Sequence, residues 1–131
     1  MKINKYIDDF MKSKYGYEIP VLPGESKFNS KCHWNSVREA EIKKQDKIII
    51  CWVSCGDEGF LHFVNTDDKK CVENTLGSMP FHKKYKYRVI DIIYKEAFHN
   101  VEYFLSRYHR IIEKEVKRKF PIRRIFENYN Y

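Results

Sequence analysis

The segment that most limits the possible folds lies at the centre of the chain, where two apolar stretches flank a short turn. Residues 47–55, "KIIICWVSC", are rich in β-branched and aromatic residues, which is typical of a buried strand. A turn at "DEG" and a second apolar stretch at 60–65, "FLHFVN", complete a predicted hairpin. Two further strands are predicted in "CVENTL" at 71–76 and "YKYRVIDIIY" at 85–94. We therefore expect about four strands in antiparallel succession.

The fourth predicted strand mixes charged and apolar residues. Successive side chains of a strand point to opposite faces of its sheet. Regular alternation therefore predicts one face made of Tyr85, Tyr87, Val89 and Asp91 and another made of Lys86, Arg88, Ile90 and Ile92.

Helical spacing of apolar residues occurs on both sides of these strands. A short amphipathic helix is predicted over residues 2 to about 14, and a second from about Cys32 to Lys43, capped by Ser30 or Asn29. Between them, "YEIPVLPGES" contains two prolines and a glycine and is predicted to be a loop or extended connector. A long C-terminal helix is predicted from about Tyr94, and Pro121 should end it. Its apolar stripe consists of Tyr94, Phe98, Val101, Leu105, Tyr108 and Ile112.

This order of elements predicts an α+β fold. The 131 residues are the size of one ordinary domain, and no linker or internal repeat divides them. We expect a single domain over residues 1–131, with an antiparallel sheet of about four strands, N-terminal helices of which one bears Cys32 at its N-terminus, and a long C-terminal helix packed on the sheet.

The formal net charge of +7 is concentrated near the C-terminus. A basic surface favours contact with nucleic acid or an acidic protein, although a helix face of this kind is also often simply solvated. No apolar run approaches the ~20 residues that span a bilayer, and the N-terminus does not resemble a secretory signal. We therefore expect a cytoplasmic protein with reduced thiols and no membrane contact. The predicted basic binding face consists of Arg110, Lys114, Lys117, Arg118, Arg123 and Arg124.

One cysteine lies where a thiol can become reactive. The unpaired N–H groups at a helix N-terminus favour the thiolate, and Cys32 lies at the predicted start of the second helix. A thiol nucleophile also needs a base and a group that orients the base. His62, on the second predicted strand, is the candidate base. The third predicted strand offers Glu73 or Asn74 as the orienting residue, because paired strands bring such residues together.

These residues resemble the papain-like thiol hydrolases. The order "C-H-x-N" at a helix start, "H-F-V" on a strand and "V-E-N-T" on the next is similar to compact enzymes of the NlpC/P60 type and to small C-H-x-N proteins of phage genomes. The resemblance covers roughly residues 28 to 92. It implies a nucleophile at Cys32, a base at His62, and Glu73 or Asn74 as the third residue.

The same resemblance implies attack on a protein or peptide-like amide, ending in hydrolysis, deamidation or acyl transfer, without a cofactor or metal. The family's upstream Gln, which stabilises the oxyanion, has no clear counterpart here. Asn29, Asn35 or the backbone N–H of Cys32 would have to take its place. Trp34, Trp52 and Tyr87 are candidates for the walls of a substrate pocket or, alternatively, for the core.

Three alternatives follow from the same residues. Cys32 and His62 fit equally well as packed side chains, and packing is the expected role of Cys51, Cys55 and Cys71. A zinc site has suitable residue types but unsuitable spacing, since no C-x₂-C pair is present. The chain also fits a non-catalytic basic binding protein of the phage type, which would contact nucleic acid or an acidic protein partner through its C-terminal helix.

Overall fold

The computed structural model describes residues 3–24, 31–76 and 84–121. Its helices are α1 (Ile3–Lys14), α2 (Cys32–Ile42), a 3₁₀ helix (Lys95–Asn100) and α3 (Val101–Lys119). Its strands are β1 (Glu18–Ile19), β2 (Val21–Pro23), β3 (Lys47–Cys55), β4 (Glu58–Thr66), β5 (Cys71–Glu73) and β6 (Lys86–Tyr94). The α+β class predicted from the sequence is confirmed.

The described strands form one curled, mixed sheet in the order β1-β6-β3-β4-β5-β2. Adjacent strands are antiparallel except β2 and β5, which are parallel. The prediction of about four antiparallel strands was therefore wrong in number, because the connector "YEIPVLPGES" supplies two short edge strands. These strands have only two and three residues, too few to produce a recognisable period, and they are defined by pairing with distant strands.

The hairpin between β3 and β4 turns earlier than the sequence predicts. Cys55 pairs with Glu58, so the connecting residues are Gly56 and Asp57, and Gly56 has a φ of 65°. A positive φ at the first position of a two-residue hairpin loop favours glycine. Gly59 has a different role, since a Cβ there would lie 2.5 Å from atoms of the Trp52 indole. The glycine of "DEG" is thus needed for close packing within the hairpin rather than for its turn.

A β-bulge changes the alternation along β6. Ile50 of β3 pairs with Asp91, whereas Cys51 pairs with Val89, which leaves Ile90 as an extra residue. Tyr87 and Val89 lie on one face as predicted, but Asp91 lies on the other, where the Tyr108 hydroxyl donates a hydrogen bond to it at 2.5 Å. Regular alternation was therefore the wrong expectation beyond Val89.

The helices cover one face of the sheet. The core beneath them includes residues of α1, α2 and α3 together with Ile48, Ile50, Trp52, Leu61, Phe63 and Ile93. Tyr94, predicted to begin the long helix, is instead the exposed last residue of β6, and the α-helix begins at Val101 after a 3₁₀ turn. The helix ends at Lys119, two residues before Pro121. Within the described ranges, no helix is both long and apolar enough to cross a membrane.

The opposite face of the sheet carries a second apolar cluster, formed by Val21, Ile49, Cys51, Val53, Val64 and Tyr87. On β4, Leu61 and Phe63 point into the helix-facing core. His62 lies between them and therefore points to the side of the second cluster. Its ring contacts those of Phe60 and Tyr87, and the side chain is 2% exposed.

A buried carboxylate attaches α1 to the sheet. Asp8 is fully buried, and its Oδ1 accepts hydrogen bonds from Trp52 Nε1 at 2.8 Å and Ser54 Oγ at 2.7 Å. Lys12 Nζ lies 2.8 Å from Oδ2. Trp52 is thus a core residue with its indole N–H satisfied, so that of the two roles expected for it, pocket wall or core, the structure shows the core.

We expect Asp8→Ala to lower the free energy of unfolding by about 2–4 kcal/mol, because two buried donors would lose their acceptor. Asp9→Ala, the adjacent position on the same helix, removes only an exposed pair with Lys5 and should change stability little. Urea unfolding of both variants measures the difference. Similar losses in the two variants would contradict this role of Asp8.

Candidate functional site

The N-terminus of α2 positions Cys32. The helix begins at this residue, and the N-cap position is Lys31, which makes no side-chain capping bond. The predicted caps, Ser30 and Asn29, lie outside the described residues. The Asn35 N–H donates to the Lys31 carbonyl at 2.9 Å and closes the first turn. The backbone N–H of Cys32 belongs to the group that an α-helix leaves without an internal partner.

The start of α2 contacts β4 next to the point where the pairing between β4 and β5 ends. The described pairs between β4 and β5 are Asn65 with Val72 and Thr66 with Cys71. His62 and Phe63 lie beyond those pairs, and here the Phe63 backbone N–H hydrogen-bonds the Cys32 sulfur. The Cys32 side chain also hydrogen-bonds His62 and is half-buried against the helix-facing core. Because β4 is no longer paired with β5 at this point, the Cys32 thiol can reach the His62 imidazole.

The other side of the His62 ring faces Glu73. His62 Nε2 lies 2.8 Å from both carboxylate oxygens of Glu73, which leaves Nδ1 as the nitrogen available to the thiol. The backbone N–H groups of Thr75 and Leu76 donate to Glu73 Oε2 at 3.0 and 2.9 Å, and the Tyr87 hydroxyl donates to Oε1 at 2.5 Å. Glu73 is fully buried, and each of its oxygens is hydrogen-bonded.

The contacts shift the pKa values of the thiol and the imidazole in opposite directions. Burial raises the pKa of Cys32, but hydrogen bonds to His33 and His62 outweigh it and lower the value to about 6. Burial lowers the pKa of His62, but hydrogen bonds to Cys32 and Glu73 raise it to about 9. Near neutral pH the favoured state is therefore a thiolate beside an imidazolium.

The carboxylate and phenol complete this arrangement of charges. Burial raises the pKa of Glu73, whereas the hydrogen bond to His62 lowers it, and the net pKa lies below the ordinary value. Burial, together with the adjacent carboxylate, raises the pKa of Tyr87 far above its ordinary value. Glu73 is consequently ionised and Tyr87 neutral, so the phenol acts as a donor that holds the carboxylate.

The remaining predicted site residues have other partners. Asn74 donates to Asn65 Oδ1 at 2.8 Å, so Glu73 rather than Asn74 is paired with His62. Asn35 Nδ2 donates to Thr75 Oγ1 at 3.0 Å, and Trp34 Nε1 donates to Glu102 Oε1 at 3.0 Å. Asn29 lies outside the described residues. Of the predicted site residues, the structure therefore brings together Cys32, His62 and Glu73.

Two residues near the thiol were not assigned a role in the chemistry from the sequence. Tyr87 was expected to be a pocket wall or a core residue, yet its hydroxyl contacts Glu73. His33 was expected to point elsewhere on its helix, as a structural or substrate-facing residue, because adjacent residues of a helix do not usually face each other. In the structure its side chain hydrogen-bonds the Cys32 thiol.

Two of the other thiols, Cys51 and Cys71, have environments that disfavour ionisation. Cys51 is fully buried and burial raises its pKa well above the ordinary value, while burial also raises the pKa of Cys71. All four cysteines are free thiols. In the described part of the chain, no group of three or more His, Cys, Asp or Glu side chains is arranged to hold a metal ion. The zinc alternative therefore has no ligand cluster there.

The predicted basic face lies only partly within the described residues. Arg110, Lys114 and Lys117 are exposed on α3. Arg118 is also exposed but pairs with Glu115 at 2.8 Å and with the Tyr6 hydroxyl at 3.1 Å. Arg123 and Arg124 lie outside the described residues.

Comparisons with models of protein families, with curated proteins and with solved structures find no match to this chain. A half-buried thiol, a buried imidazole and a buried carboxylate lie in one hydrogen-bonded row. Such a row can supply a thiolate nucleophile together with a group that donates and accepts a proton.

We expect iodoacetamide at pH 6 to label Cys32 about tenfold faster than the other cysteines. At this pH the thiolate fraction of Cys32 exceeds that of an ordinary thiol by about 100-fold, and the lower nucleophilicity of a low-pKa thiolate offsets part of the gain. Because Cys32 loses its proton as the pH rises, its labelling rate should increase through about pH 6. Peptide mapping over time measures each thiol, and equal or slower labelling at Cys32 would contradict the expectation.

Proposed function

We propose that this protein is a cysteine-dependent hydrolase or acyl transferase that acts on an amide or a related acyl group. The observation that carries the proposal is the position of His62 between the Cys32 thiol and the Glu73 carboxylate. The arrangement fits a nucleophile, an acid–base group and an orienting group, which are the three functions that thiol catalysis requires.

In the first half of the reaction, the Cys32 thiolate attacks the acyl carbon and forms a carbon–sulfur bond. The electron pair of the carbonyl moves to oxygen, and the backbone N–H of Cys32 is the proposed donor to that oxyanion. Protonated His62 gives its Nδ1 proton to the leaving amine as the carbon–nitrogen bond breaks. The products are a thioester on Cys32, a free amine and a neutral imidazole.

In the second half, neutral His62 removes a proton from the incoming nucleophile, which attacks the thioester carbon. The carbon–sulfur bond breaks, and the thiolate and imidazolium are restored. Water as the nucleophile gives hydrolysis, or deamidation when ammonia left in the first half. An amine gives acyl transfer. Glu73 keeps its charge throughout and holds the imidazole through Nε2, supported by Tyr87.

A papain-like fold is part of the same proposal. What supports it is a helix that begins at the thiol and packs beside antiparallel strands, with the imidazole on β4 and the carboxylate at the end of β5. Protein or peptide-like amides are the proposed substrates. We place the activity in the cytoplasm, because all four cysteines are free thiols and a reducing compartment keeps the nucleophile active.

The test uses p-nitrophenyl acetate, which acylates reactive thiols and releases a coloured product. We expect a burst of p-nitrophenolate and an acetyl group on Cys32, located by peptide mass spectrometry. Cys32→Ser should abolish the burst. His62→Gln should slow hydrolysis of the acyl-enzyme by about 100-fold or more, since it removes the proposed base. Cys55→Ser replaces another half-buried thiol and is the matched control, which should behave as the wild type.

The pH dependence of the burst is a second measurement in the same experiment. An ester with a good leaving group needs no proton from His62, so acylation depends on the thiolate and should rise through about pH 6, the pKa of Cys32. Acetylation spread equally over several cysteines, or a burst that survives Cys32→Ser, would contradict the proposed function.

We retain the non-catalytic basic binding protein of phage type as a second candidate. The observation in its favour is the spacing of Arg110, Lys114 and Lys117, which places three exposed cations on one side of α3. We call these three residues the basic stripe. Arg118 adds little net charge to it because Glu115 is its partner. Phosphates of nucleic acid or carboxylates of an acidic protein are the expected contacts.

For this second candidate, we expect binding of a fluorescent single-stranded DNA to weaken steeply as salt increases. Replacing Lys114 and Lys117 with Gln should reduce the slope of the logarithmic salt plot by about two, since each phosphate contact contributes about one. Lys44→Gln combined with Lys86→Gln removes two exposed lysines elsewhere and should leave the slope unchanged. Undetectable or salt-independent binding would contradict the nucleic-acid form of this candidate.

A further inference from the structure

A second imidazole lies at the Cys32 thiol. His33 hydrogen-bonds the thiol from within α2, and its Nε2 lies 3.6 Å from Glu102 Oε1 on α3. Its ring centroid is 6.0 Å from that of Phe63 on β4, and its side chain is 14% exposed. Two histidines thus hydrogen-bond the thiol. Each also has a carboxylate partner, which is Glu73 for His62 and Glu102 for His33.

The charges that act on His33 come from two elements. Cys32 on its own helix and Glu102 on α3 both favour the imidazolium, while the facing residue on β4, Phe63, is uncharged. The hydrogen bond to Cys32 is the largest influence and raises the pKa of His33, and burial acts in the opposite direction. Ionisation of Cys32 therefore favours the form of His33 whose ring N–H donates to the sulfur.

The ring of His33 is held on more than one side. Glu102 accepts a hydrogen bond from Trp34 Nε1 at 3.0 Å, which fixes the carboxylate although its side chain is 68% exposed. The ring also contacts the Trp34 ring at a centroid distance of 5.9 Å. These contacts connect α2 and α3 next to the thiol.

We propose that His33 is a second catalytic imidazole, which stabilises the Cys32 thiolate by donating a hydrogen bond to the sulfur while Glu102 orients it. The inference rests on the proposed function and deepens it. In the proposed reaction His62 transfers a proton in each half, so the charge of its imidazole changes each time. A second donor that does not transfer a proton stabilises the sulfur both as attacking thiolate and as leaving group.

The experiment measures the pH profile of Cys32 alkylation by iodoacetamide in the wild type, His33→Ala, His33→Gln and His99→Ala. In His33→Ala the midpoint should move upward, and labelling at pH 5 should fall by about tenfold, the effect of one pKa unit. His33→Gln keeps a neutral donor and should show a smaller shift. His99 is exposed on the 3₁₀ helix, and His99→Ala is the matched control that should follow the wild type.

The outcomes separate the inference from the proposed function. A midpoint that stays in place or moves downward in both His33 variants, with Cys32 still labelled fastest, would overturn the role of His33 and leave the proposed function standing. If Cys32 of the wild type is not labelled fastest, the proposed function fails first. Circular dichroism of each variant tests folding, and His33→Gln supplies the result if His33→Ala does not fold.

Discussion

The structure around the candidate site depends on the buried hydrogen bonds between Glu73 and His62. An unpaired carboxylate in this position would cost several kcal/mol, because burial removes its hydration. Four donors replace the water: His62, the N–H groups of Thr75 and Leu76, and the Tyr87 hydroxyl. The backbone after β5 therefore bends around the carboxylate, and β6 supplies the phenol. The Glu73 carboxylate thus positions β4, the backbone after β5, and β6 relative to one another.

A network of side-chain amides positions the thiol relative to that pair. Asn65 on β4 donates to the Ser36 carbonyl in α2 at 2.8 Å and to Gln45 Oε1 at 3.0 Å, and it accepts from Asn74 at 2.8 Å. Buried amides of this kind are favourable only when their bonds are satisfied together, so they define one relative placement of helix and strands. Asn74, considered from the sequence as part of the chemistry, contributes to this placement instead.

The sequence predicted the elements whose patterns are local. The strands at β3, β4 and β6 and the helices α1 and α2 follow from apolar spacing over several residues, and the order of Cys32, His62 and Glu73 suggested a shared location. It did not predict β1 and β2, because two or three residues have no period and their partners lie far along the chain. The hydrogen bond between Tyr87 and Glu73 was not predicted for a similar reason, since the spacing within one strand does not reveal its contacts with another. The contact of His33 with Cys32 was not predicted because adjacent residues of a helix do not usually face each other.

The extra residue in β6 divides that strand into two halves that serve different faces. Before Ile90, Tyr87 supports the carboxylate at the candidate site, and after it Asp91 meets Tyr108 of α3. A related chain without this extra residue could place either a phenol beside the buried carboxylate or a carboxylate beside the helix. It could not do both, because one of the two side chains would point to the wrong face of the sheet. Aligning such a chain with this one therefore requires a one-residue gap at Ile90, and an ungapped alignment would pair residues of opposite orientation throughout one half.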